Sequence, residues 1–355
     1  MKILFAGGGT MGSVTPLLAV SEALQSASSV DELFWIGTAN GPERQVVTDA
    51  GITFQPISGG KVRRYFSLQN FLDPFRIIYG CIQSLALLHR LQPEVVVSAG
   101  SFIAVPVVFS AWLLRIPVVV HQQDCLPGLA NKLSAPFAQR ITVALAESLP
   151  YFNRIKTVWI GNPVRQSILT GSRASALHRF GLDSSLPTVL VIGGGTGATV
   201  LNQLVADSLS DLTAFCQIIH VTGAGKSVVS APVERYHPYE FLQAEMPDAL
   251  AVADVVVSRA GFGFLSELAA LGKPTVVIPL PQSHQEANAV YFAHSHAAVY
   301  LPQSGLDSAG FVAQLKALLD NPSDRDQLSR NIKSLLKPGA TQALLAIIRE
   351  LTNKG

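Results

Sequence analysis

The sequence predicts an α/β protein of two doubly wound, Rossmann-like domains facing a cleft, and three observations carry that prediction. Short apolar strands alternate with longer helical patterns from end to end, the signature of βαβ units and a parallel sheet. The alternation pauses near residues 159–163 and starts again at Thr188. Each half opens with a strand that runs directly into a glycine-rich loop. A chain of 355 residues is too long for one ordinary core and suits two domains of middling size.

In the first half, KILFA (2–6), LFWI (33–36), VVVS (95–98) and VVVH (118–121) read as strands, and residues 17–25 as the first helix. A hinge near 159–163 separates domain 1–160 from domain 161–340. The second half repeats the plan with strands at 188–192, 217–221, 254–258 and 275–279. Pro338 and Gly339 set off a last helix at 341–351, within a 341–355 segment whose packing the sequence leaves open. No short tandem repeat is evident.

A composition of 48% hydrophobic and 14% charged residues, with net charge +2, excludes a disordered chain and a highly basic nucleic-acid binder. The apolar run 104–120 contains Arg115, Pro106 and Pro117, so it reads as a buried helix followed by a strand rather than a membrane span. The N-terminus enters a strand at once, without a basic region and cleavable apolar segment, which predicts a cytosolic protein. Cys81, Cys125 and Cys216 have neither disulfide nor metal-ligand spacing and read as small hydrophobes.

Gly7-x-Gly9-x-x-Gly12 follows a strand and precedes a helix, the context of a dinucleotide fingerprint. A nicotinamide enzyme needs an acid at the tip of the second strand to bind the ribose, and here that strand runs into Ile36-Gly37-Thr38. The general device remains: backbone amides at a glycine turn and helix N-terminus favour a phosphate. GGGTG at 193–197 sets up the same device in the second half. Each loop is read either as a diphosphate cradle or as a tight turn.

The segment SRAGFGFLSELAALGKP (258–274) reads as a strand end, a loop and a short helix whose N-terminus can take a diphosphate. Glu267, expected near the first turn, is either a ribose-diol acceptor or a charge placed on the helix dipole. SHQEAN (283–288) follows an apolar strand, where α/β sheets put binding residues. Asp324-Arg325-Asp326 follows Asn321-Pro322-Ser323 and reads as a helix start rather than a metal motif.

These motifs, with GGTMGSVTP (8–16), HQQDCLPGLANK (121–132) and GNPVR (161–165), resemble glycosyltransferase family 28 over nearly the whole length. The resemblance is to its UDP-N-acetylglucosamine transferases, which glycosylate undecaprenyl-diphosphate-linked muramyl-pentapeptide in peptidoglycan synthesis. It implies a GT-B fold, an inverting transfer, no cofactor and no essential metal at the sugar site. By matching position, the donor contacts are Thr10, Gly12, Asp124, Arg165, Gly195, Phe241, Leu242, Phe262, Gly263, Phe264, Leu265, Ser266, Glu267, His284 and Gln285. Of these, Phe241 and Leu242 fall to the uracil and Glu267 to the ribose. The diphosphate falls to Phe262 through Ser266, and the sugar hydroxyls to His284 and Gln285. The acceptor diphosphate falls to Gly9, Thr10, Gly12, Gly100 and Ser101.

The chain departs from the family pattern at several of these positions. Ser13 stands where a histidine is usual, and Asp124 where an asparagine is usual. Serine cannot serve unaided as the general base that an inverting transfer needs, whereas a carboxylate can. The catalytic expectation is therefore Asp124 as base, with Ser13 orienting a hydroxyl or binding phosphate; the alternative is that Asp124 only caps the turn at Pro127-Gly128. Gly195, Thr196, Ser101 and Gln122 are further departures.

Lys61, Arg63, Arg64, Tyr65, Phe66, Phe71, Phe75, Arg76, Ile77, Ile78 and Tyr79 form a basic and aromatic stretch. It reads either as a core-facing amphipathic helix or as a contact with an anionic membrane surface. A lipid-linked acceptor favours the second, and with it a peripheral location on the cytoplasmic face.

Overall fold

The computed structural model describes residues 1–27, 32–59, 69–195 and 197–353. The chain divides into two compact units, Met1–Arg165 with Lys337–Gly355, and Gln166–Leu336. Residues 161–165 and 337–340, expected in the second domain, belong to the first unit.

The first unit holds strands β1 (Lys2–Ala6), β2 (Glu32–Thr38), β3 (Thr53–Ile57), β4 (Val95–Ser98), β5 (Val118–Gln122), β6 (Arg140–Val143) and β7 (Thr157–Trp159). They form one sheet in the order β3-β2-β1-β4-β5-β6-β7, parallel throughout. Its helices are α1 (Thr15–Ser26), α2 (Glu43–Asp49), α3 (Gln69–Leu91), α4 (Ala104–Leu113) and α5 (Leu129–Ser134). Strand periodicity sends Ile3, Phe5, Val95 and Val97 to one face and Leu4, Ala6 and Val96 to the other. Leu17 and Leu24 of α1 cover the first face; Leu88 of α3 and Val107 and Val108 of α4 cover the second.

The second unit holds α6 (Arg173–Phe180), β8 (Thr188–Ile192), α7 (Thr199–Leu212), β9 (Gln217–Val221), β10 (Tyr236–Tyr239), α8 (Met246–Val252), β11 (Val255–Ser258), α9 (Phe262–Leu271), β12 (Thr275–Val277), α10 (His284–His294), β13 (Val299–Tyr300), α11 (Ser308–Asp320) and α12 (Pro322–Leu335). Its parallel sheet runs β10-β9-β8-β11-β12-β13, the same order with one strand fewer. In both sheets the order reverses between the first strand and its fourth, β1/β4 and β8/β11. Open α/β sheets bind ligands beyond the carboxyl ends of the strands at such a switch point.

The last helix, α13 (Ala340–Thr352), packs Leu344, Leu345 and Ile348 into the first unit's core beside α1. Gly161 makes its return possible. At φ 88° it lies so close to Lys337 that a Cβ would sit 2.2 Å from that residue's carbonyl oxygen.

The central strands match the sequence reading to within two residues, but β3, β6, β7, β10 and β13 escape it. Pro56 in β3 and Pro238 in β10 mark strands on sheet edges, where a missing N–H can be tolerated. Of the cysteines, Cys216 is buried with its thiol donating to Leu212 O, while Cys81 and Cys125 are half-buried. Burial pushes the Cys216 and Cys125 thiols up to about 12, which leaves them unreactive.

Candidate functional site

In the first unit, the loop after β1 is clamped by side chains from β2 and from the segments that follow β4 and β5. The Trp35 indole donates to Gly7 O at 2.8 Å, the Ser101 hydroxyl to Gly8 O at 2.6 Å, and Gln123 Nε2 to Gly12 O at 2.6 Å. Ser13 is buried, and its hydroxyl lies 3.5 Å from Gly8 O and 3.4 Å from Thr10 O. It points into its own loop. Thr10 is exposed and precedes a 3₁₀ turn at Met11–Ser13, and Gly12 is half-buried.

The loop after β4 is strained. Gly100 has φ 97° and Ser101 φ 87°, a left-handed conformation that costs a serine of order 1 kcal/mol or more. The Ser101 hydroxyl holds it there, donating to Gly8 O and accepting from the Ile103 amide.

The segment after β5 carries a locked chain of amides. Gln122 Nε2 donates to the carbonyls of Asp124 and Leu126, so Gln122 Oε1 must face Asn131. Asn131 Nδ2 donates to that oxygen at 2.7 Å and to His121 O at 3.1 Å. Its Oδ1 is thereby left buried without a partner, as is Gln123 Oε1. A Cβ on Gly100 would lie 3.4 Å from Asn131 Oδ1, so one orphaned acceptor borders the strained loop and the other the first glycine loop. Asp124 is half-buried between them in sequence, with its backbone oxygen tied to Gln122.

His121 is fully buried between Thr142 Oγ1 (2.9 Å from Nδ1) and Asn162 Oδ1 (2.8 Å from Nε2), and burial lowers its pKa to about 4. The GNPVR segment therefore does structural work: Gly161 admits Lys337, and Asn162 anchors His121. Arg165 is half-buried at the segment's end.

In the second unit, β8 leads into Gly193, Gly194 at φ 90° and Gly197 at φ 71°, with Gly195 exposed; Thr196 lies outside the described residues. A Cβ on Gly197 would meet Thr222 O at 2.2 Å, so that glycine is required by close backbone approach.

Helix α9 starts at Phe262 with Gly261 as its N-cap and no side-chain cap. Open space surrounds Gly261, and the first helical amides have no intrahelical acceptor, so this end favours an anion. The side chains there turn inward. Phe262, Leu265 and Ser266 are buried, the Ser266 hydroxyl donating to Phe262 O, and only Phe264 is half-exposed. Any contact made by residues 262–266 is therefore mainly through backbone, including that of Gly263. Glu267 is also buried and sits in the second turn, since the first turn holds no acid.

Beneath this loop lies Arg259, 8% exposed. It donates to Ile278 O at 2.9 Å, Pro279 O at 3.1 Å and Gln303 Oε1 at 2.7 Å. Its charge meets no carboxylate among the described residues. Asn288 Nδ2 donates to Ala260 O from α10. Gln285 spends its Oε1 on the Leu280 amide, and His284 is exposed beside it. Phe241 presents a half-exposed ring after β10, while Leu242 is buried.

Residues 3–143 match the glycosyltransferase family 28 N-terminal domain, and residues 188–343 match the glycosyltransferase family 28 C-terminal domain. The chain belongs to glycosyltransferase family 28. It is 41% identical over 98% of its length, and 96% of the relative's, to a Legionella pneumophila UDP-N-acetylglucosamine--N-acetylmuramyl-(pentapeptide) pyrophosphoryl-undecaprenol N-acetylglucosamine transferase. A Clostridium botulinum protein of the same name is 36% identical, covering 95% of this chain and 98% of its own. Among solved structures, Acinetobacter baumannii MurG superposes with TM-score 0.71 at 24% identity, covering 98% of this chain and 99% of that one. The Neisseria meningitidis UDP-GlcNAc 2-epimerase bound to UDP-GlcNAc gives 0.71 at 13% identity, covering 99% and 100%. The fold is thus the two-domain, Rossmann-like GT-B type of family 28.

Three features of this family 28 chain were not read from its sequence: the Arg259–Gln303 clamp, the orphaned Gln123 and Asn131 oxygens, and Glu43 beneath the first loop. Glu43 reads in sequence as a first-turn acid on a short helix, with no sign that it faces inward. Among the described residues, no group of three or more His, Cys, Asp or Glu is placed to hold a metal ion.

Proposed function

We propose that the chain transfers N-acetylglucosamine, with inversion, from UDP-N-acetylglucosamine to undecaprenyl-diphosphate-linked N-acetylmuramyl-pentapeptide, a step of peptidoglycan synthesis. The observation that carries this reading is 41% identity across 98% of the chain to a transferase named for that reaction. The donor falls to the second unit, its diphosphate on the open N-terminus of α9 with the Arg259 cation behind it, and Phe241 available to stack on the base. The acceptor falls to the first unit, around Gly12, Gly100 and Ser101.

In the reaction, the attacking sugar hydroxyl bonds to the anomeric carbon while the bond to UDP breaks and UDP leaves with the electron pair. Asp124 takes the hydroxyl proton. Ser13 is unsuited to that task by chemistry and by its turn toward Gly8 O and Thr10 O. The developing charge on UDP is met by the α9 amides, with no cofactor invoked. Transfer of labelled sugar to the muramyl lipid is the expected result. Transfer only to another lipid, or donor binding without turnover, would overturn the assignment.

The same reading places the protein on the cytoplasmic face of the membrane as a peripheral enzyme. No described helix is long and apolar enough to cross a membrane. However, Phe75, Ile78, Tyr79 and Ile82 line one exposed stripe of α3 at helical spacing, and Trp112, Leu113 and Leu114 are exposed at the end of the α4 helix packed against it. Arg76 and Arg115 accompany them; residues 61–66 of the basic stretch lie outside the described residues. Sedimentation with anionic vesicles at low salt is expected, and its loss in an Ile78→Glu/Ile82→Glu variant tests the stripe.

A further inference from the structure

Glu43 is fully buried, and both of its oxygens are engaged. Oε2 accepts from the Gly9 amide at 3.0 Å; Oε1 accepts from the Thr38 amide at 2.7 Å and the Thr38 hydroxyl at 2.5 Å. The chain makes room for this carboxylate with glycine. A Cβ would come within 2.2 Å of a Glu43 oxygen at Gly8, 2.0 Å at Gly41 and 3.1 Å at Gly37. Among the described residues no cation pairs with it.

This arrangement alters what the first glycine loop can bind. In a dinucleotide fingerprint, the second glycine lets the backbone approach a pyrophosphate. Here the amide of that glycine, Gly9, is already bonded to a carboxylate, and a buried negative charge in a low-dielectric setting lies behind it. An anion at Gly9 would gain no amide and would meet like charge.

We propose that Glu43 is a positioning residue acting as an internal substitute for a bound phosphate. It holds the loop in shape before substrate arrives and, resting on the acceptor assignment above, keeps the acceptor's diphosphate off Gly9 and toward Gly12 and the Gly100–Ser101 turn.

Two measurements test this. In Glu43→Ala the vacated space should accept a small carboxylate: formate, compared with chloride at equal ionic strength, is expected to raise the melting temperature of the variant by several degrees and leave the wild type unchanged. Equal responses in the two proteins would overturn the substitute role. This arm needs no catalytic assay, so it separates the proposal from the assigned reaction.

In Glu43→Gln the side-chain NH2 must face either the Gly9 or the Thr38 backbone amide, which leaves one of these two donors without its acceptor. The expected result is an acceptor KM raised about tenfold or more with the donor KM within twofold. Thr38→Val, which removes one of three bonds, is expected to shift the acceptor KM in the same direction by a smaller factor, and it carries the test if the Glu43 variants do not fold. Both KM values moving together, or neither moving, would reduce Glu43 to a fold-stabilising residue.

Discussion

The two units share one strand order and bury opposite charges at the loop-bearing edge of the sheet. The first unit buries the Glu43 carboxylate under its opening glycine loop, bonded to backbone amides and a hydroxyl. The second buries the Arg259 guanidinium under the loop that starts α9, bonded to two carbonyls and an amide oxygen. Among the described residues, neither meets a side chain of opposite charge. Equivalent topology therefore does not imply equivalent chemistry: the second edge buries a cation beside its loop, and the first buries a carboxylate already bonded to the Gly9 amide.

The units are alike in one respect, and the largest predicted effect depends on it. His121 and His220 are both buried and neutral, the second between Tyr236 OH and Asn202 Oδ1, and desolvation lowers each pKa from 6.5 to about 4. Between those values the unfolded chain binds more protons than the folded one. Stability is thus full above pH 6.5 and lost as pH falls toward 4, by about 3 kcal/mol for each histidine. Urea unfolding at pH 7 and pH 4.5 checks this, and an unaltered pH profile in His121→Gln would count against it.

The contrast in charge predicts the next effect. Arg259→Met leaves Ile278 O, Pro279 O and Gln303 Oε1 unpaired, and is expected to cost about 3 kcal/mol of stability and to raise the donor KM while sparing the acceptor KM. A raised acceptor KM instead would break the division of labour between the units. Asp124→Asn is expected to lower kcat by about a hundredfold or more with little change in stability; nearly full turnover would leave Asp124 as a turn cap. Smallest is Gly161→Ala, expected to cost about 2 kcal/mol because a methyl group must displace the Lys337 carbonyl at a left-handed backbone position. Denaturant melts check it.

Which parts of the site were legible follows from the range of the interactions. The glycine loops, the start of α9 and the central strands were readable because turn chemistry and side-chain periodicity are local. Glu267 was expected near the first turn because Gly261 and Gly263 were read as loop, whereas α9 already begins at Phe262 and includes Gly263, which puts Glu267 in the second turn. Ser13 was expected to offer a hydroxyl; its inward turn depends on the fold of its own loop.

By itself, the sequence determined two Rossmann-like halves, a glycine loop opening each, the family, and the departures at Ser13 and Asp124. Only the tertiary structure decided that α13 returns to the first unit, that Glu43 faces Gly9 from 34 residues away, and that Arg259 reaches Gln303 across 44. The physical reason is that backbone periodicity is set within a few residues, whereas the partner of a buried charge is set by which strand ends the sheet order brings together.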